Sequence, residues 1–313
     1  TLTGRIMFGD DKEPQKEFIY TDLATGEQFA MDGSRVEPEG TFDICNAFPG
    51  YEFKDGKNMY RGEDVGFGGY VYAEEGMHAN VVTFDLISAH PTSMIKMTLF
   101  GERYTQQLKN LFDLRVALKH KDFDTARKMF DGALVPYLTD EASAKALSGA
   151  LKIAINSIYG LTSAHFQNPF YDPRNKNNIV ALRAALFMVT LRDAIQEKGF
   201  QVCHIKTDSI KVVNPTKDIS DFIYAFGRKY GYEFEVEHKF KKFCLVNKAT
   251  YIAKCADDDP ESPGQWTATG AQFAVPYVFK TLFSHEPIDI SDLCETKEVR
   301  TAIYLDASEK LPD

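Results

Sequence analysis

Three short segments in a fixed order constrain this chain most: Phe84-Asp85-Leu86-Ile87-Ser88-Ala89-His90-Pro91, Lys152-Ile153-Ala154-Ile155-Asn156-Ser157-Ile158-Tyr159-Gly160, and His204-Ile205-Lys206-Thr207-Asp208-Ser209-Ile210. The first follows Val81-Val82-Thr83, and this apolar, β-branched run reads as a buried central strand ending at Asp85. Pro91 stops that strand from simply continuing. The third reads as strand, turn, strand, with Asp208 in the bend. The second is helical. Its Lys152, Asn156 and Tyr159 fall at i, i+4 and i+7 on one face, and Lys145 and Ser148 extend that stripe backward.

Around these segments the chain alternates. Residues 1–75 read as short strands and turns, with loops at Gly26, Gly33, Gly40 and Gly50. Gly66-Phe67-Gly68-Gly69 reads as a tight turn feeding the strand Tyr70-Val71-Tyr72, its glycines allowing close approach to a phosphate or another strand. Helical patterns cover 103–120 and 123–131. A further helix, capped by Thr139 or Asp140, is expected to run to about Tyr159 and stop at Gly160. Another spans about 177–197 before Gly199, strands are expected at 200–205 and 210–213, and a helix at 218–230. Separate strands follow near 234–236, 242–246 and 251–254, then a mixed to helical tail from Gly270. Strands separated by a helical excursion predict an α+β core with an inserted helical subdomain.

The 313 residues allow about two domains, and 44% hydrophobic with 26% charged residues fits a globular protein with a real core. A net charge of −9 argues against a protein basic overall, though a local basic groove can coexist with an acidic exterior. The five cysteines include no CxxC pair, which argues against zinc or a disulfide framework and for a reducing, cytoplasmic setting. No apolar run is long enough to span a membrane, and no signal peptide pattern is present. The start at Thr1 suggests a piece of a longer protein.

If the strands bearing Asp85 and Asp208 are neighbours, two carboxylates converge at one sheet edge. Such a pair repels unless divalent cations intervene, and Mg²⁺ prefers a few carboxylates plus substrate phosphates. Taken singly, each Asp also suits a turn or cap. The Lys/Asn stripe suits a triphosphate, with Tyr159 placed for a base or a minor-groove edge; a solvated amphipathic helix would show the same pattern. Arg115 and Lys119, also at i and i+4, add cations from the preceding helix.

At these segments the chain resembles family B DNA polymerases. The first is similar to their D-x-x-S-L-Y-P-S element at Asp85, Ser88 and Pro91. The second matches K-x-x-x-N-S-x-Y-G at every fixed position, and the third matches D-T-D-S at Thr207, Asp208 and Ser209. Gly68-Gly69 resembles the family's Y-x-G-G turn without its tyrosine, and Lys248 and Tyr251 resemble its later lysine–tyrosine element.

The resemblance implies a palm with an antiparallel sheet, inserted helical fingers and part of a thumb. Residues 1–75 would lead into the palm, 76–100 and 166–254 would form it, 101–165 would be fingers, and 255–313 the start of the thumb. It further implies two Mg²⁺ ions, with Mn²⁺ as an alternative, on Asp85, Asp208 and the Leu86 carbonyl. Ser88, Ala89, His90, Arg115, Lys119, Lys152 and Asn156 would hold a deoxynucleoside triphosphate. Tyr159, Gly160, Gly68, Gly69, Lys248 and Tyr251 would contact primer–template DNA. A proofreading exonuclease would lie upstream, and the short intervals between motifs point to a phage-type or mobile-element enzyme, working in the cytoplasm, that of the host if it is viral. A processivity factor stays unassigned.

Two departures stand out. His90 replaces the tyrosine that excludes a ribose 2′-OH, so a reduced but real preference for deoxynucleotides is expected. Lys206 replaces a carboxylate. Two residues from Asp208, it is placed to share its face and either to favour the ionised acid or to compete with a metal. These departures also fit an alternative, a catalytically inactive polymerase-like module with a DNA-binding or structural role.

Overall fold

The computed structural model describes residues 19–21, 28–30, 35–36, 44–162, 164, 168, 170, 178–273 and 275–294. The expected loops at Gly26, Gly33 and Gly40 lie outside them, while Gly50 sits in a turn. Three short strands, β1 (Ile19–Thr21), β2 (Gln28–Ala30) and β3 (Arg35–Val36), pair with each other, as do β4 (Glu52–Lys54), β5 (Lys57–Tyr60) and β6 (Glu63–Asp64). A one-turn helix, α1 (Ile44–Ala47), lies between these two sheets in sequence.

The main sheet has seven antiparallel strands in the order β13-β12-β11-β8-β10-β9-β7. They are β7 (Val71–Ala73), β8 (Gly76–Leu86), β9 (Val202–Lys206), β10 (Ser209–Val213), β11 (Phe234–Asn247), β12 (Thr250–Cys255) and β13 (Trp266–Thr269). The chain is therefore α+β. Between β8 and β9 it runs through α2 (Ala89–Lys96), α3 (Gly101–Lys119), α4 (Phe123–Lys128), α5 (Glu141–Thr162) and α6 (Ile179–Glu197). Helix α7 (Lys217–Tyr230) links β10 to β11, and α8 (Pro276–Phe279) follows the sheet.

Helix α6 explains why the sheet is stable. It is apolar nearly all round and buried from Val180 to Arg192, as expected of a helix enclosed on every side. Its Leu186, Phe187 and Val189 share a core with Phe84, Leu86, Ile205, Ile210 and Val212, one face of the central strands. A second core joins Leu108, Leu111, Leu114 and Leu118 of α3 to Leu151, Ile155 and Ile158 of α5. These spacings of three, four and seven are one helical face each. Lys121 and Glu141 pair where α3 ends and α5 begins, at 2.5 Å.

Several expected boundaries move. Helix α5 does not stop at Gly160. The glycine is helical and the helix runs to Thr162, whose hydroxyl donates to the Tyr159 carbonyl at 2.7 Å. The expected helix over 123–131 ends at Lys128, because Phe130 and Asp131 take left-handed backbone angles. The two strands expected at 234–236 and 242–246 are one strand, β11, interrupted by a bulge between Val236 and His238. A bulge adds a residue and turns the following side chains over. That is why the apolar–polar alternation of Phe234 to Glu237 is not carried on through His238 and Lys239.

The Gly66–Gly69 turn settles its own question: what the glycine approaches is another strand's turn. Gly69 has φ 130°, and a Cβ there would lie 2.8 Å from Thr207 Cγ2. Thr207 N in turn donates to the Tyr70 carbonyl at 2.9 Å. Gly69→Ala is therefore expected to cost about 2 kcal/mol, read as a lower urea midpoint at unchanged m-value. A loss below about 0.5 kcal/mol would mean the contact is not needed.

Candidate active site

Strand register builds this site. Val71, Lys206, Ser209, Asp85 and Glu235 lie opposite one another in a single row across five strands. Residues directly opposite share a face, so this row projects away from the α6 core. Phe84 and Leu86, on either side of Asp85, point into that core. Leu86 N donates to the Asp208 carbonyl at 2.9 Å, which brings the turn between β9 and β10 against the end of β8. Thr207 is left-handed at φ 58°, and Asp208 N donates back to the Lys206 carbonyl at 2.8 Å. Asp85 and Asp208 thus reach one sheet edge from adjacent strands.

Asp85 carries the electrostatic signature of that meeting. Burial pushes its pKa up, and Asp208, Glu237 and Glu235 push further, to about 7, against an opposing pull from Lys211. Lys211, and Lys119 through its ion pair with Glu235, offset part of this charge, and a divalent cation on Asp85 and Asp208 would relieve the rest. Hard oxygen ligands with room for phosphate suit Mg²⁺.

Three of these neighbours were not anticipated. Glu235 and Glu237 are brought to the site by β11, and their alternation with Phe234 and Val236 was the available signal. Lys211 is 4% exposed, a lysine inside the apolar run Ile210-Lys211-Val212-Val213. Its ammonium lies 5.6 Å from the centre of the Tyr251 ring and 3.5 Å from Ser209 Oγ, so the ring rather than a good hydrogen bond holds it. Burial lowers its pKa, while Glu237 and Asp85 oppose that.

Lys206 is exposed at the end of β9. The expectation that it shares a face with Asp208 by a two-residue period fails, because the tight turn intervenes. Its row partner is Ser209, and two strand spacings, about 10 Å, separate it from Asp85.

Of the other motif residues, Ser88, His90, Arg115 and Lys119 are tied to the acidic cluster. Ser88 is left-handed at φ 56° and precedes α2, so the first N–H groups of that helix, from Ala89 and His90, lack partners within the helix. Arg115 Nη1 donates to Ser88 Oγ at 3.0 Å. Its Nε is buried without a hydrogen-bond partner among the described residues, and burial lowers its pKa. Lys119 pairs with Glu235 at 2.9 Å. Lys152, Asn156 and Gly160 are exposed on α5, as is Lys145.

The His90 and Tyr159 rings stack at 4.1 Å between centroids, joining α2 to α5. Burial lowers the His90 pKa against a smaller pull from Asp208, favouring neutral imidazole. Tyr159 OH donates to Asn178 Oδ1 at 3.0 Å, and Asn178 Nδ2 donates to the Phe67 carbonyl at 2.8 Å. Asn178 therefore ties the helix motif to the glycine turn that carries Gly68 and Gly69. Lys248 is exposed, and its carbonyl lies 3.2 Å from His204 Nε2. Tyr251 packs on Phe243 at 4.9 Å between centroids.

No known sequence family matches this chain, and no curated protein matches it. Among solved structures it is similar to the family B DNA polymerase from the hyperthermophilic archaeon Pyrobaculum calidifontis, with 15% identity and a TM-score of 0.48. The similarity covers 71% of this chain and 31% of that one, so the chain spans less than a third of that enzyme. Among the described residues, no helix is long and apolar enough to cross a membrane.

Proposed function

We propose that this chain carries the centre of a family B-type DNA polymerase, extending a primer 3′ end on a template with deoxynucleoside triphosphates. The observation that carries this reading is the adjacency of the two acids. Leu86 N bonds the Asp208 carbonyl at 2.9 Å, and Asp85 pairs with Ser209. The helix motif, joined to α2 by the His90–Tyr159 stack, supports it.

Asp85 and Asp208, with the Leu86 carbonyl, would hold Mg²⁺ or Mn²⁺. When bound, such ions supply Lewis-acid charge to the attacking and leaving oxygens. The chain's own groups do the rest. Backbone N–H groups of Ser88 and Ala89 take the triphosphate at the positive end of α2. Arg115, anchored on Ser88, and Lys152 and Asn156 from α5 neutralise and orient it. Lys119 leaves Glu235 to join them, since an exposed ion pair holds it by no more than about 1 kcal/mol. His90, fixed by the Tyr159 stack, borders the sugar. Gly160, Gly68, Lys248 and Tyr251 face the DNA, while Gly69 keeps the Asp208 turn in place.

The test is primer extension by the full chain on a labelled primer–template, with Mg²⁺ and with chelator. Lys206→Ala is expected to change the rate by less than about threefold. Its charge is exposed and lies about a Debye length from Asp85. A tenfold change would make Lys206 part of the machinery.

Lys206 and the buried Lys211 favour a second reading, an inert module that binds DNA. Binding to primer–template without extension at any Mg²⁺ or Mn²⁺ concentration would select it.

A further inference from the structure

We propose that His238, Cys255 and Asp259 form a zinc site that staples the β12–β13 turn to the main sheet. The three come from β11, the last residue of β12 and the turn after it. One nitrogen, one sulfur and one carboxylate oxygen lie within 4.8 Å of one another. The site shares no residue with the acid pair and does not rest on the proposed polymerase reaction.

The geometry is informative in detail. His238 Nδ1 lies 3.4 Å from both oxygens of Asp259. That is long for a hydrogen bond between such groups. It is close to the edge of a zinc tetrahedron, because bonds of about 2.0–2.1 Å at the tetrahedral angle separate N and O by about 3.4 Å. Asp259 is buried, yet its charge is secured. Three backbone N–H groups, of Lys239, Glu261 and Ser262, donate to its carboxylate. Asp259 Oδ1 accepts from Glu261 N at 3.1 Å and Ser262 N at 2.7 Å, while Oδ2 accepts from Lys239 N at 2.7 Å. Oδ2 therefore keeps a lone pair on the side of His238.

The outer groups fit as well. Glu261 Oε2 lies 3.8 Å from Nε2, the other ring nitrogen of His238. That is an ion-pair distance, and a small rotation of the exposed Glu261 side chain would bring it to the hydrogen bond that orients a ligating imidazole and raises its basicity. Cys255 is a fully buried free thiol in a cluster with Phe240 and Ala253. A turn-organising aspartate explains the three backbone bonds. It does not explain why a sulfur and an imidazole nitrogen lie within 4.8 Å of that carboxylate and of each other. Mixed N, S and O donors select zinc over magnesium or calcium, with water completing the fourth position.

The test uses the full chain purified without chelator. Elemental analysis should find about one zinc per chain, and that content should survive Asp208→Asn. After removal with dipicolinate, added zinc should raise the thermal midpoint by about 5 °C. Cobalt(II) should give a thiolate-to-metal charge-transfer band that disappears in Cys255→Ser. Glu261→Gln, a change at an exposed side chain, should weaken zinc binding about ten- to a hundredfold. This keeps the test decisive if Cys255→Ser fails to fold. Zinc at background level with no thermal shift, or a cobalt band unchanged in Cys255→Ser, overturns the proposal.

Discussion

Asp208→Asn is expected to lower primer extension more than about a thousandfold while leaving the folded state intact. The size follows from what the carboxylate does. It is one of two acids joining the ends of β8 and β10, and an amide carries no charge to hold a divalent cation. Losing the several kcal/mol that such an ion supplies to the transition state corresponds to a loss of at least that order. The fold tolerates the change because the turn is set by backbone: Leu86 N on the Asp208 carbonyl, Asp208 N on the Lys206 carbonyl and Thr207 N on the Tyr70 carbonyl. Circular dichroism and the thermal midpoint serve as the control. More than about a tenth of the activity remaining in Asp208→Asn would remove Asp208 from the chemistry. Lys206→Ala is the informative contrast, a charge change two residues away that should do little.

The central strand, the buried helix before β9 and the strand–turn–strand were legible because apolar runs of the right length bounded them. Gly199 ended α6 as expected, in a left-handed conformation at φ 83°. Gly160 did not end α5, since glycine permits a stop without imposing one and Leu161 and Thr162 carry the helix on. Strand β11 was read as two pieces because its bulge breaks the period just where Glu237, His238 and Lys239 are polar. Asp85 and Asp208 could be named from their segments. Glu235, Glu237 and Lys211 could be assigned to that face only through register, which a local pattern does not encode. The same holds for His238, Cys255 and Asp259. Cysteine spacing argued against zinc, yet pairing of β11 with β12 assembles three ligand types far from any CxxC arrangement.

The second large effect concerns pH and the metal-free protein. Asp85 has a folded pKa of about 7, raised above its unfolded value by burial and then by Asp208. Between about pH 4 and 7 the folded state therefore binds more protons than the unfolded state, and stability falls as pH rises through this window. The whole shift would amount to about 4 kcal/mol for a fully enclosed group. Asp85 is only half-buried, so about 2–3 kcal/mol is expected. His204 acts in the opposite sense. Burial and then Lys211 depress its pKa to about 4, so stability rises with pH from about 4 to 6.5. The raw profile mixes the two, and the difference between wild type and Asp85→Asn isolates the acid. In chelator, Asp85→Asn should be more stable than wild type at pH 8 by about 2–3 kcal/mol and equal to it near pH 4, by urea denaturation. Added Mg²⁺ should reverse the order at pH 8. A cation that binds the ionised pair stabilises wild type increasingly above pH 7, while the variant has lost half of the pair. Wild type and variant curves that stay parallel in chelator would mean that Asp85 is ordinary, and an order that Mg²⁺ leaves unchanged at pH 8 would mean that the acids on this sheet edge hold no cation.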